Sequence, residues 1–354
     1  MVKNTPLGNL SPAMLFVVGL STAFVIFIVI QVFNDPSILL QTVSASLGLG
    51  AVYSIIALGF VLIFKATQTI NFAQGSLAVA GALFLSFSVA DGHIPFTTIA
   101  NPLLSIGGPS WVPWVLSLLM ALIFSAILGA VVERIAIRPM VGQPLFSVAV
   151  ITLGLEFILR TLNNDTSETE FRSLEVPWGI GGFSIGEAFI NWSYIVSIFL
   201  AVVSFIAVYF FYRSRLGIAM RAVAFDQEAA MAQGIDVGKV FAIAWIAGSM
   251  LAALGGIMGS QPPVRQTGAI DPQTANIAFR ALPAVVLGGL DSATGALLGG
   301  LIVGFAEIFA GQYLSSFAST IGAGYPLVIP YVVMLVGLVV RPHGIYGTPE
   351  IRRV

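Results

Sequence analysis

Cysteine is absent from the 354 residues, and histidine occurs twice, as His93 and His343. A disulfide framework and a thiol nucleophile are therefore excluded, and soft ligands for a zinc or iron centre are too few. Charge is nearly as scarce: Asp, Glu, Lys and Arg make up 9% of the chain, against about a quarter in an ordinary soluble domain. The net charge of −1, with no dense Lys/Arg cluster, removes the electrostatic basis for binding nucleic acid. No Gly-x-x-x-x-Gly-Lys-Ser/Thr loop occurs, so the backbone cradle for nucleotide phosphates is missing and no cofactor is expected on this chain.

What is present is apolar. Hydrophobic residues make up 57% of the sequence and the mean hydropathy is +0.98. A helix needs about 20 apolar residues to cross about 30 Å of hydrocarbon. Ten largely apolar runs approach that length, at 12–33, 38–64, 71–90, 112–132, 145–162, 192–212, 240–259, 276–290, 294–316 and 325–340. The composition predicts an all-α polytopic membrane protein of roughly 8–10 transmembrane helices, as a single transmembrane domain over 1–354. The first run is too long for a typical signal peptide and reads as a retained helix.

Cytoplasmic loops carry the excess of Lys and Arg. With both termini inside, that side receives Lys3, Lys65, Arg134, Arg138, Arg213, Arg215, Arg221, Lys239, Arg341, Arg352 and Arg353, while Arg172 and Arg265 fall outside. The connection 163–190, with Asp165, Glu168, Glu170, Glu175 and Glu187, becomes an acidic outer loop, either facing a delivery protein or simply solvated.

The run 276–290 would rise about 22 Å as a helix, short of the hydrocarbon core. Pro283 within it and Gly288 and Gly289 at its end predict a broken or re-entrant segment, tolerated only where protein or water shields its backbone. Gly295, Gly299, Gly300 and Gly304, like Gly255 and Gly259, have the small-xxx-small spacing of closely packed membrane helices. Two acids lie inside spans. Glu156 precedes Arg160 by one helical turn, which predicts a local ion pair near the outer face. Glu307 has no basic neighbour in its own helix and must find a partner on another helix, be protonated, or meet cargo.

Asn71, Gln74 and Ser76 open the third span beside Gly75, where amide side chains can cap free backbone donors or line a pathway. Residues 221–234 form a polar, amphipathic island between two apolar runs and predict a cytoplasmic helix within a loop at 213–239. Its Glu228, Ala229, Ala230 and Gly234 resemble the Glu-Ala-Ala-x-x-x-Gly pattern by which ABC importer permeases engage their ATPases. Asn71, Phe72, Ala73, Gln74 and Gly75 resemble the Asn-Phe-Ala-x-Gly signature of branched-chain amino acid ABC permeases. Gly50 to Phe60, Ser214 to Val223, Gly234 to Ala242, Val286 to Gly295 and Arg341 to Gly347 resemble the same family, so the likeness spans roughly 45–347.

The resemblance implies an importer half in the cytoplasmic membrane of a bacterium or archaeon. It would pair with a second permease, two cytosolic ATPase subunits that use the ATP, and an extracytoplasmic binding protein. Arg221, Asp226 and Glu228 would make polar contact with the ATPase, Ala229 and Ala230 would allow close approach, and Gly234 would end the helix. Asn71, Gln74, Gly75 and Glu307 are the pathway candidates. The cargo implied is leucine, isoleucine and valine, with urea, amides or aromatic acids as alternatives. An ion-coupled carrier using Glu156 and Glu307 is the rival from another class. An intramembrane aspartyl protease at Asp291 lacks a second Asp within a span to complete its dyad.

Overall fold

The computed structural model describes residues 36–347 apart from 96, 98, 107, 108, 169, 170, 266, 267 and 323, together with isolated residues between 22 and 33. The expected span at 12–33 falls almost wholly outside the described residues. The others are all helical. Among the described residues, six helices are long and apolar enough to cross a bilayer: α1 (Pro36–Thr67), α3 (Trp111–Val132, continuing through turns to Met140), α4 (Leu145–Ser167), α5 (Trp192–Arg213), α8 (Val237–Gly259) and α10 (Ala293–Tyr313). Three apolar helices are shorter: α2 (Gln74–Val89), α9 (Asn276–Gly288) and α11 (Tyr325–Val340). Two short helices, α6 (Arg215–Phe225) and α7 (Gln227–Ala232), fill the connection between α5 and α8.

Helix α1 is the axis of the bundle. Val52, Tyr53, Ile55, Ile56, Ala57 and Leu58 are fully buried in sequence, so helix surrounds it on every side. Helices α5, α8, α9 and α10 pack on it, and α2 and α3 pack on α8. Lipid gives apolar helices no incentive to associate, so close backbone approach has to supply the contact. Glycine permits it here. A Cβ on Gly300 would overlap Ser54 of α1, one on Gly304 would overlap the Gly50 backbone, and one on Gly299 would overlap the Ala284 carbonyl of α9. Ser54 Oγ closes the first of these contacts by donating to Leu297 O at 2.8 Å.

The predicted break at 276–290 takes the form of a 13-residue α9, which rises about 20 Å. Pro283 has no N–H for the carbonyl four residues back. That carbonyl, Phe279 O, accepts instead from Tyr331 Oη of α11 at 3.1 Å. The third span departs from expectation: helix begins at Gln74, and the preceding turn, with Gln68 at φ +56°, lies inside the bundle.

At one end of the bundle, an antiparallel hairpin of two four-residue strands (β2, Gly182–Ile185; β3, Ala188–Asn191) leads into α5. A two-residue strand β1 (Arg172–Ser173) pairs there with β4 (Ala269–Ile270). Arg172 also bonds Asp91 at 2.8 Å, tying the connection 163–190 to the end of α2. The opposite end carries Lys65, Arg138, Arg213, Arg221 and Arg341. There the buried Glu133 binds Arg138 through two hydrogen bonds of 3.0 and 3.1 Å, and Arg138 reaches on to Gly238 O.

Candidate functional site

Two of the short helices begin in the middle of the bundle and meet there. Gln74, the first residue of α2, donates from Nε2 to Gly248 O, at the centre of the 23-residue α8. Gly75 lies so close to Ala275, at the start of α9, that any Cβ would overlap the Ala275 carbonyl. From this junction the two helices run toward opposite ends of the bundle, α2 to the hairpin and α9 to the basic end. Their first backbone N–H groups therefore lie at membrane depth and need acceptors.

Carbonyls of the preceding turn supply them for α9, and side chains do so at the start of α2. Asn71 Oδ1 accepts from Ala73 N at 3.1 Å, and Asn71 Nδ2 donates to Gln74 Oε1 at 2.9 Å. Thr152 of α4 accepts from Phe72 N at 3.2 Å. Glu156, a turn further along α4, accepts from Ser76 N at 3.2 Å through Oε2. Asn71, Gln74, Ser76, Thr152 and Glu156 are all buried. A carboxylate against the first turn of a helix also meets the positive end of its dipole. The predicted Glu156–Arg160 pair is present at 2.7 Å. It sits deeper than expected, because α4 runs on to Ser167 and Glu156 is the middle residue of its 23. Arg160 Nη2 also donates to Asn276 Oδ1 at 3.3 Å and so joins α4 to α9.

One turn along α9 from Asn276, Arg280 pairs with Glu307 of α10, and Tyr53 Oη of α1 donates to the other oxygen of Glu307 at 2.6 Å. Glu307 thus has its partners on two other helices. Asn71, Gln74 and Gly75 come together at the junction, whereas Glu307 belongs to this second cluster. Sequence reasoning passed over Tyr53, Thr152 and Asn276. None carries a charge, and each acquires its role from a neighbour more than 80 residues away or on another helix. In the sequence Arg280 is the one charge in the run 276–290, with no acidic residue at helical spacing to name its partner.

The expected single helix over 221–234 is two. Asp226 adopts an extended conformation and caps α7, its Oδ1 accepting from Ala229 N at 2.9 Å, as Asp does when its side chain competes with the helical backbone. Gly234 ends the segment at φ +81°, in the left-handed region that glycine adopts without strain. Glu228 and Ala229 are exposed beside Phe225 and Met231, 84% and 47% exposed, whereas Ala230 is turned into the chain's own bundle. Arg221 donates back to Tyr212 O at 2.8 Å. It also lines a cavity of about 560 Å³ with Lys65, Asp291 and His343, so α6 faces the α9–α10 turn. Lys65 Nζ bonds Asp291 O in that turn at 2.8 Å. Among the described residues no cluster of His, Asp or Glu suited to a metal ion occurs.

The bundle combines half-length helices with internal charges, and comparison with known proteins decides the family. Residues 42–339 match the model for the permease component of branched-chain amino acid transport systems. The chain belongs to that family. It is 31% identical over 327 residues to the high-affinity branched-chain amino acid transport system permease protein BraD of Pseudomonas aeruginosa, covering 89% of this chain and 98% of BraD. Identity to the permease protein LivH of Escherichia coli K12 is 29% over 324 residues, 89% of this chain and 97% of LivH. A probable LivH from the archaeon Methanocaldococcus jannaschii is 29% identical over 301 residues, 83% of this chain and 88% of that one. No solved structure matches. This family member is therefore a multi-pass transport permease.

Proposed function

We propose that this chain is the membrane permease of an ATP-driven importer of branched-chain amino acids, with the α2–α9 junction at the centre of its pathway. The observation that supports this most directly is the meeting of two half-length helices at mid-bundle. Membranes tolerate such ends only inside protein or against a water-filled route. The cargo follows the relatives, whose names specify branched-chain amino acids. Urea, amides and aromatic acids are the alternatives that uptake assays discriminate.

The chain works with two cytosolic ATPases, a second permease and an extracytoplasmic binding protein, in a bacterial or archaeal cytoplasmic membrane with both termini inside. Nucleotide stays on the ATPases, since this chain has no phosphate loop. The exposed face formed by Phe225, Asp226, Glu228, Ala229 and Gly234 contacts the ATPase. Ala230 supports that face from beneath and Arg221 anchors it to α5. Movement passes through α6 to the Lys65–Asp291 contact and along α9 to the junction, so closure of the ATPases switches the bundle between inward-open and outward-open states. Ion coupling through Glu156 and Glu307 finds less support, because each carboxylate is already held by a guanidinium group.

Affinity purification from native membranes tests this reading. An ATPase should accompany the wild type and be lost from a folded Glu228→Arg, Gly234→Leu double variant. A wild type that never retains an ATPase refutes it.

A further inference from the structure

Arg160 and Arg280 share an arrangement that pairing alone does not explain. Each guanidinium is backed by a carboxylate nearly sealed in protein: the side chains of Glu156 and Glu307 are 5% and 6% exposed. The arginines in front of them are 31% and 32% exposed. The two pairs thus present cationic faces outward and hide their anionic partners. A guanidinium at membrane depth is not left against lipid, so a face exposed in the single chain must look onto a water-filled route or the second permease.

Helix α9 brings the two together. Asn276 and Arg280 are four residues apart and so share one side of α9. Arg160 is fixed to Asn276, and Arg280 to Glu307. Both arginines keep donors in reserve. Arg280 binds Glu307 through Nη2, and its Nε, a buried donor, has no partner among the described residues. Arg160 meets Glu156 and Asn276 through Nε and Nη2 alone. A planar guanidinium with spare N–H groups matches a carboxylate in two-point geometry, which an ammonium does not.

We infer that Arg160 and Arg280, on either side of Asn276, receive the carboxylate of the cargo as it passes the α2–α9 junction. Glu156 and Glu307 hold the guanidinium groups in place from behind. The site admits small solutes bearing a carboxylate and excludes otherwise similar solutes that lack one. This rests on the proposed amino-acid cargo and adds the chemical group by which the permease reads it.

The test uses the assembled transporter with its ATPases in nanodiscs, without the binding protein, so that any discrimination is the permease's own. Leucine, 4-methylvalerate (carboxylate only), leucinamide and isopentylamine (no carboxylate) are titrated by calorimetry and thermal shift. Leucine and 4-methylvalerate should bind, and the other two should bind at least tenfold more weakly. Arg280→Lys and Arg160→Gln should each weaken leucine binding tenfold or more and narrow that gap. The Arg280→Glu, Glu307→Arg exchange keeps a pair but turns the wrong charge outward, so it should fold and still not bind leucine. Wild-type binding that ignores the carboxylate, unchanged affinity in both single variants, or full recovery in the exchange variant would overturn the inference. An ATPase-loaded complex showing any of these results leaves the importer reading standing, whereas a complex that never assembles refutes that reading first.

Discussion

The backbone amide of Ser76 donates to the Glu156 carboxylate at 3.2 Å, across 80 residues of sequence, and so anchors the start of α2 to the middle of α4. The same carboxylate holds Arg160. Glu156→Ala should therefore orphan both an amide and a guanidinium. The expected loss is about 2–3 kcal/mol, below the upper range for breaking a buried pair because Arg160 is partly exposed. Glu156→Gln keeps an acceptor for Ser76 and should lose less. Thermal unfolding of the purified protein in one detergent compares the three, and equal midpoints would show that the contact contributes nothing.

Two glycines of α10 should answer differently to the same methyl group. Gly304→Ala forces a Cβ into the Gly50 backbone, and overpacking of this kind costs about 1–3 kcal/mol. At Gly311 the nearest atom to a new Cβ is 3.9 Å away, on Pro326, so alanine's better helix propensity should leave stability unchanged or raise it by up to about 1 kcal/mol. A common loss in both variants would refute close backbone packing as the cause.

Tyr331 and Pro283 should be coupled. Tyr331→Phe leaves Phe279 O without its donor, at an expected cost of about 1 kcal/mol. Pro283→Ala supplies a backbone N–H for that carbonyl, so the tyrosine should matter less in its presence. A double-mutant cycle reads the difference as a coupling energy, and strict additivity would mean that the hydroxyl serves no such purpose.

Asp236 caps α8, and its carboxyl is held below its ordinary value of 3.8, first by the Lys239 backbone N–H and then by the Lys239 side chain. A depressed carboxyl stabilises the fold fully above its ordinary value and loses that contribution as pH falls through the folded value. The first turn of α8 should thus show no pH dependence from this group near neutrality and lose hydrogen-exchange protection in acid. Asp236→Ala should show the acid behaviour at every pH.

Most of the helices could be read from the sequence because span length and apolar composition are local properties. The Glu156–Arg160 pair was equally accessible, since four residues on a helix are neighbours by geometry. The start of α2 was not. Asn71 and Gln74 mark a helix start, but only Gly248 and Glu156, brought in by the fold, place it at mid-membrane. The double helix at 215–232 was hidden for a different reason. Alanine-rich sequence favours continuous helix, and the single Asp226 interrupts it by taking the cap position. Arg280 had no readable partner, because Glu307 lies on the next helix and Tyr53 on a helix more than 200 residues earlier.

Gly300 and Gly304 bring the backbone of α10 onto α1, and Gly248 brings that of α8 to the Gly59 carbonyl of α1, so at these points no side chain lies between the helices to change rotamer and accommodate sliding. Gly248 and Gly255 fit against Ile63 and Ile56 as Gly300 and Gly304 fit against Ser54 and Gly50. These three helices must travel as one solid piece, like the hub of a wheel. The freedom to open and close therefore resides at the rim, in α4 and α5, whereas α3 is tied to the hub where Gly129 lies against the Trp245 carbonyl of α8.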